Sequence, residues 1–162
     1  MVITIRPVNA ADITEFLDWK YEPPHDDYNI KMPLGEALEY FLDPATQCHA
    51  IVTDGELSGY CTYGKDAQVP GGDYTASAVD IGAAIMPALT GHGHGATYVA
   101  AIIDFAVRTF DPTTLRVSIA SPNVRATKVW IANGFSETQR FHTPREILGT
   151  TEFAMFERRL GE

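Results

Sequence analysis

The chain has 162 residues, 45% of them hydrophobic and 20% charged, the make-up of one ordinary globular domain with a sizeable core. Its formal net charge of −9 argues against a nucleic-acid surface, which needs a basic patch, and favours cationic partners such as amines. The longest apolar run, Val99 to Ile103, is broken by Asp104, so no membrane span is expected; the N-terminal Met-Val-Ile-Thr-Ile-Arg reads as a strand, not a leader, and a cytoplasmic location follows.

Val2 to Arg6 alternates as a strand does, and a helix is predicted near Ala11 to Trp19, with Ile13, Phe16 and Leu17 on one side and Asn9 as its cap. Tyr21 to Asn29, through Pro23-Pro24, cannot continue that helix and reads as a rigid, aromatic, acidic loop. A second helix, Leu34 to Leu42, stops at Asp43-Pro44. Strands Cys48 to Thr53 and Leu57 to Tyr63 are joined through the hairpin signal Asp54-Gly55. Cys48 and Cys61 lie in these apolar strands without C-x-x-C or metal spacing, so buried reduced thiols are expected. After a polar loop, Lys65 to Asp73, a strand runs from about Thr75 to Met86 and ends at Pro87. A glycine loop then opens a helix to about Arg108, with Val99, Ile102, Ile103, Ala106 and Phe110 at helical spacing. Strand Leu115 to Ala120, a short helix from Asn123 to Asn133 closed by Gly134, and strands Phe135 to Phe141 and Glu152 to Glu157 complete the order. The expected architecture is one domain, residues 1–162, with about four helices packed on a mixed sheet of about seven strands.

The loop Leu89-Thr90-Gly91-His92-Gly93-His94-Gly95-Ala96 is the most telling stretch. Glycines at alternate positions let the backbone turn with its N–H groups free, and the following helix adds its unpaired N–H groups and positive dipole end, a phosphate site without basic side chains. Gly91-x-Gly93-x-x-Ala96 formally fits a dinucleotide fingerprint, but that fingerprint belongs on the first strand of repeated βαβ units, with an acidic residue about twenty positions on. His92 and His94 as metal ligands would supply at most two of the three or four donors zinc wants, so no metal is expected.

Asp80-Ile81-Gly82-Ala83-Ala84-Ile85-Met86-Pro87 precedes the loop, and Asn123-x-x-Ala126-x-x-x-Trp130-x-x-x-Gly134-Phe135 follows a strand later. Here the chain resembles the GNAT superfamily of acetyl-CoA-dependent N-acetyltransferases. Thr90-x-x-Gly93-x-Gly95 matches both glycines of that family's Q/R-x-x-G-x-G/A loop but not its first residue, and the later block matches except that Trp130 replaces the frequent Tyr. The resemblance implies a mostly antiparallel GNAT-like sheet, with acetyl-CoA as co-substrate and an amine acceptor, small molecule or protein; a homodimer is allowed. It places the cofactor pyrophosphate on the N–H groups of His92, Gly93, His94, Gly95 and Ala96.

Pro87 has no N–H and cannot extend a ladder, so the strand is expected to leave its neighbour there, freeing donors at Ile85 and Met86. By resemblance, Ile85 contacts the pantetheine arm and the Met86 N–H is the oxyanion donor. Asp80 is the candidate general base, the alternative being a strand-end carboxylate in a polar network. Trp130 either packs on the cofactor or is a core aromatic beside Ala126, Val129 and Asn133, since indole is no usable acid; Tyr60, Tyr63 and Tyr74 are spare hydroxyls. Asn123 is expected to touch the cofactor backbone, cap its helix, or both, while Arg125 and Lys128 either reach a phosphate or are solvated. The acceptor wall is expected in the first loop, where Tyr21, Asp26, Asp27 and Tyr28 suit a cationic amine. The function expected is acetyl, or short acyl, transfer to a primary amine; the alternative is a catalytically weak acyl-CoA-binding sensor or interaction module on the same fold.

Overall fold

The computed structural model describes residues 1–161. The strands β1 (Ile3–Pro7), β2 (His49–Thr53), β3 (Glu56–Tyr63), β4 (Val79–Ile85), β5 (Thr114–Ala120), β6 (Ser136–Ile147) and β7 (Thr150–Arg159) form one sheet in the order β1-β2-β3-β4-β5-β7-β6. Only β4 and β5 run parallel; the other pairs are antiparallel. The four α-helices are α1 (Ala10–Leu17), α2 (Leu34–Leu42), α3 (Gly95–Phe110) and α4 (Val124–Ala132). The mixed seven-stranded sheet with four helices is the expected architecture.

Alternation along the strands divides the core between the two faces. Ile51, Cys61, Tyr63, Ile81, Leu115, Val117 and Ile119 pack against Tyr98, Val99, Ile102 and Ile103 of α3 and against Trp130 of α4. On the opposite face Cys48 joins Ile13 and Phe16 of α1 and Ala37 and Phe41 of α2. Both cysteines are free and buried, as expected, and burial pushes each thiol up to about 12.

Boundaries differ from expectation in two places. β4 begins at Val79 rather than near Thr75, because Thr75 closes a turn on the Asp73 carboxylate and the Ala76 carbonyl accepts from the Arg116 Nη1. β6 and β7 extend toward each other and meet in a tight turn at Leu148-Gly149, with φ of 51° and 78°. That is the left-handed pair a two-residue hairpin needs, and Leu is an unusual first member, so the turn is hidden in the sequence. Pro144 sits within β6, which an edge strand tolerates.

The site is positioned by the parallel pair. β4 and β5 pair only from Val79↔Leu115 to Ile81↔Val117; beyond that the two strands diverge, although β5 stays paired with β7 through Ala120. The opening therefore starts at Gly82, not at Pro87, and Pro87 only ends the strand. Pairing of β4 with β3 continues to the end, since the Met86 N–H donates to the Ser58 carbonyl at 2.8 Å.

Candidate active site

The glycine loop lies just past the open end of β4, after a 3-10 turn at Pro87–Leu89. Gly91 and Gly93 adopt φ of 77° and 80°, where a side chain is strained. Among the described residues none of the backbone N–H groups from Gly91 to Ala96 has a protein acceptor, and His94, the N-cap of α3, offers no side-chain cap. Open space faces Gly93. A run of unpaired donors at the positive end of a sixteen-residue helix is what a pyrophosphate requires. The side chains of His92 and His94 are exposed, and among the described residues no group of three or more His, Cys, Asp and Glu is gathered to hold a metal.

α4 forms the far wall of the cradle. A Cβ on Gly95 would stand 3.0 Å from Cγ2 of Val129, and the Asn133 Nδ2 donates to the Ala96 carbonyl at 3.3 Å, so α3 and α4 are fixed together at this end. The Arg125 guanidinium reaches over the loop: a Cβ on Gly91 would stand 3.6 Å from its Nη2. Asn123 caps α4 by accepting from the Ala126 N–H at 3.1 Å, which confirms the capping half of its expected role.

Peptide orientation along β4 corrects the oxyanion assignment. The N–H groups at alternate positions point to the same side. The Met86 N–H bonds Ser58 and the Gly64 N–H bonds the Asp80 carbonyl, so the even-numbered residues of β4 face β3. Ala83 and Ile85 face the opening, where β5 has withdrawn. Met86 is thus not a free donor; Ile85 is.

Asp80 is also corrected. It is 3% exposed, beside Arg116 at 2%, and the two form a bidentate pair of 2.6 Å and 3.0 Å, with the Gln68 amide donating to the same carboxylate at 2.9 Å. The Arg116 guanidinium, its pKa raised chiefly by the hydrogen bond to Asp80, also lies over the Tyr74 ring with 4.9 Å to the centroid. This cluster ties the segment 68–76 to the sheet, and its carboxylate oxygens are engaged. It is the polar network, not a base facing the opening.

Trp130 is 5% exposed and packs edge-on against Phe135 at 5.0 Å inside the α3–α4 core, the arrangement of a core aromatic. Of the spare hydroxyls, Tyr63 donates to the Ile102 carbonyl, and Tyr74 accepts from the Val69 N–H and is bonded to Ser118, so both are engaged within the fold. Tyr60 lies among the aromatics beneath the first loop.

That loop, 21–29, closes on itself through the Tyr21 N–H to the Asn29 Oδ1 at 2.6 Å, and it spans the opening. The Tyr21 hydroxyl donates to the Ile85 carbonyl at 2.6 Å, on the β4 arm. The Tyr28 hydroxyl accepts from the Asn123 Nδ2 at 3.0 Å, on the β5 arm. Burial pushes the Tyr21 phenol up to about 12 and raises Tyr28 as well. Phe16, Trp19, Ile30 and Tyr60 back these two rings, leaving a gap of about 10 Å³, room for one water at most. Asp26 and Asp27 are exposed, and Asp27 lies against the Gly149 turn of the β6–β7 hairpin, where a Cβ would collide with its carboxylate. The two cross-loop bonds were beyond sequence reasoning, since they join residues 64 and 95 positions apart. A wider depression lined by Ser136, Thr138 and Arg158 sits at the other end of the sheet, where Thr114 pairs with Arg159, and touches none of these groups.

A family model described as the acetyltransferase (GNAT) domain matches residues 3–136. No curated protein matches the chain significantly. Among solved structures, the spermidine N-acetyltransferase from Vibrio cholerae with CoA and spermine aligns at a TM-score of 0.76, 15% identity, over 97% of this chain and 95% of that one. The aminoglycoside acetyltransferase AAC(6')-Ib with coenzyme A and kanamycin aligns at 0.77, 15% identity, over 98% and 95%. A putative acetyltransferase, yncA, from Salmonella typhimurium with acetyl-CoA aligns at 0.69, 18% identity, over 99% and 95%.

Proposed function

Since the chain belongs to the GNAT acetyltransferase family, with acetyl-CoA as its co-substrate, we propose that it transfers the acetyl group to a cationic primary amine bound at the 21–29 loop. The observation that carries the reading is the run of unpaired N–H groups from Gly91 to Ala96 beside an opened β4 edge. The pyrophosphate sits on His92, Gly93, His94, Gly95 and Ala96, with Arg125 adding charge. The pantetheine arm follows the β4 edge, and the Ile85 N–H receives the thioester oxygen as it becomes an oxyanion. A donor so placed is worth about 3 kcal/mol of barrier. The amine nitrogen attacks the thioester carbon directly, the C–S bond breaks, and CoA leaves as the thiol.

Tyr21, Asp26, Asp27 and Tyr28 form the acceptor wall. Exposed carboxylates and phenol faces attract an ammonium by charge and by cation–π contact. The fold is shared with proteins solved with spermine and with kanamycin, both polycationic amines. Calorimetry with acetyl-CoA, followed by thiol release with a panel including spermine and kanamycin, tests the proposal. Micromolar binding and amine-dependent release are expected. Binding without release for any amine identifies a sensor, and no binding removes the reading altogether.

A further inference from the structure

Acetyl transfer from a thioester ends with a thiolate that is better expelled with a proton, and Trp130 cannot supply one. The structure directs attention to the phenols of the 21–29 loop. Tyr21 has its hydrogen committed to the Ile85 carbonyl. Tyr28 is arranged the other way: its oxygen accepts from the Asn123 amide, and among the described residues its own hydrogen has no protein acceptor.

Three features make that arrangement chemical rather than merely structural. The first is place. Asn123 follows the C-terminal end of β5, and Ile85 ends β4; because these strands run parallel, both ends lie at the same end of the sheet, on the two sides of the opening. The Tyr28 oxygen therefore stands on the β5 arm, across from the oxyanion donor on β4. The second is protonation. Burial raises the Tyr28 pKa, so the phenol keeps its hydrogen at neutral pH. The third is the Asn123 hydrogen bond, which lowers it in part. A donor aimed at the phenol oxygen stabilises the anion that forms when the proton leaves. Tyr60, the other hydroxyl nearby, makes no hydrogen bond among the described residues.

We propose that Tyr28 is the general acid of this enzyme, a role that the indole of Trp130 cannot fill. The assignment rests on the acetyl-transfer reading above. As the tetrahedral adduct collapses, the C–S bond breaks and its electron pair goes to sulfur. The Tyr28 O–H bond breaks as S–H forms. The proton shed by the amine nitrogen as the amide forms returns to the Tyr28 oxygen through solvent, so no other reactant is needed.

The test compares wild type, Tyr28→Phe and Tyr60→Phe, using acetyl-CoA, its selenoester analogue, and the fastest amine of the spermine and kanamycin panel. Calorimetry with acetyl-CoA confirms that each variant is folded and binds. Tyr28→Phe is expected to bind acetyl-CoA within about threefold of wild type while losing about 10²–10⁴ in kcat, the usual worth of a general acid. With the selenoester, whose leaving group is a far weaker base, the loss shrinks at least tenfold. Tyr60→Phe stays near wild type. An equal loss with both donors reduces Tyr28 to a positioning or packing role and overturns the proposal, as does wild-type turnover in Tyr28→Phe. A wild type that releases no thiol defeats the acetyl-transfer reading itself, and this is seen before any variant is compared.

Discussion

At the residue scale, the functional weight of several side chains depends on what faces them, and sequence does not state that. Asp80 on a strand before a glycine loop has the identity of a base, but Arg116 stands beside it in register on β5, 36 positions away, and turns it into half of a buried pair. Removing one charge from such a pair strands the other in the interior, at a cost of about 3–5 kcal/mol. Asp80→Asn is therefore expected to lower the melting temperature by on the order of 10 °C, at roughly 2–4 °C per kcal/mol for a chain of this size. Acetyl transfer per folded molecule, measured well below that temperature, should persist. A variant that keeps its melting temperature and loses turnover would restore Asp80 as the base. Trp130 illustrates the same limit: its spacing from Asn123 and Gly134 is the family's, yet helix α4 turns it into the core against Phe135.

At the scale of elements, the glycine loop and the helix after it were legible because their chemistry is local. Alternate glycines, an uncapped helix start and a preceding strand are all within ten residues of one another, and the structure leaves their N–H groups unpaired. The β4 edge was legible only as an opened edge. Which of its N–H groups are free depends on register against β3, and a one-residue step moved the donor from Met86 to Ile85. The 21–29 loop was placed correctly by its prolines, but its bonds to Ile85 and Asn123 depend on tertiary packing. The loop's backbone gives a direct prediction. Gly93 has φ of 80° and nothing within 4 Å of where a Cβ would stand, so Gly93→Ala fits sterically and strains only the backbone. Left-handed backbone costs a non-glycine residue about 1–2 kcal/mol, which converts to a loss of roughly 5–30-fold in CoA affinity by calorimetry. Because nothing packs on the residue, the unliganded variant relaxes out of the left-handed region and meets the strain only when the phosphates bind, so the melting temperature should move little. Unchanged affinity would show that the loop backbone does not hold the phosphates.

At the scale of the molecule, the two substrates meet opposite electrostatics on one chain. The formal charge of −9 spreads over the surface and includes Glu22, Asp26 and Asp27, all exposed on the loop that spans the opening. The glycine loop is electropositive only locally, through N–H groups, the α3 dipole and Arg125. A polycationic acceptor, as proposed, would thus be drawn by the long-range field, whereas acetyl-CoA would approach against it and be held by short-range bonds. Salt separates these contributions, because the Debye length falls from about 30 Å at 0.01 M to about 10 Å at 0.1 M. Over that interval, the KM of a polyamine such as spermine should rise several-fold, with kcat little changed. The KM of acetyl-CoA should stay flat or fall. Asp26→Asn together with Asp27→Asn should raise the polyamine KM at low salt and flatten its salt dependence, since these carboxylates belong to the proposed acceptor wall. Steady-state kinetics at fixed pH across that range decides the matter. A polyamine KM indifferent to salt in both proteins would mean that the amine is recognised by shape against Tyr21 and Tyr28 rather than by charge. An acetyl-CoA KM that rises in parallel with it would locate the attraction in the phosphate cradle instead.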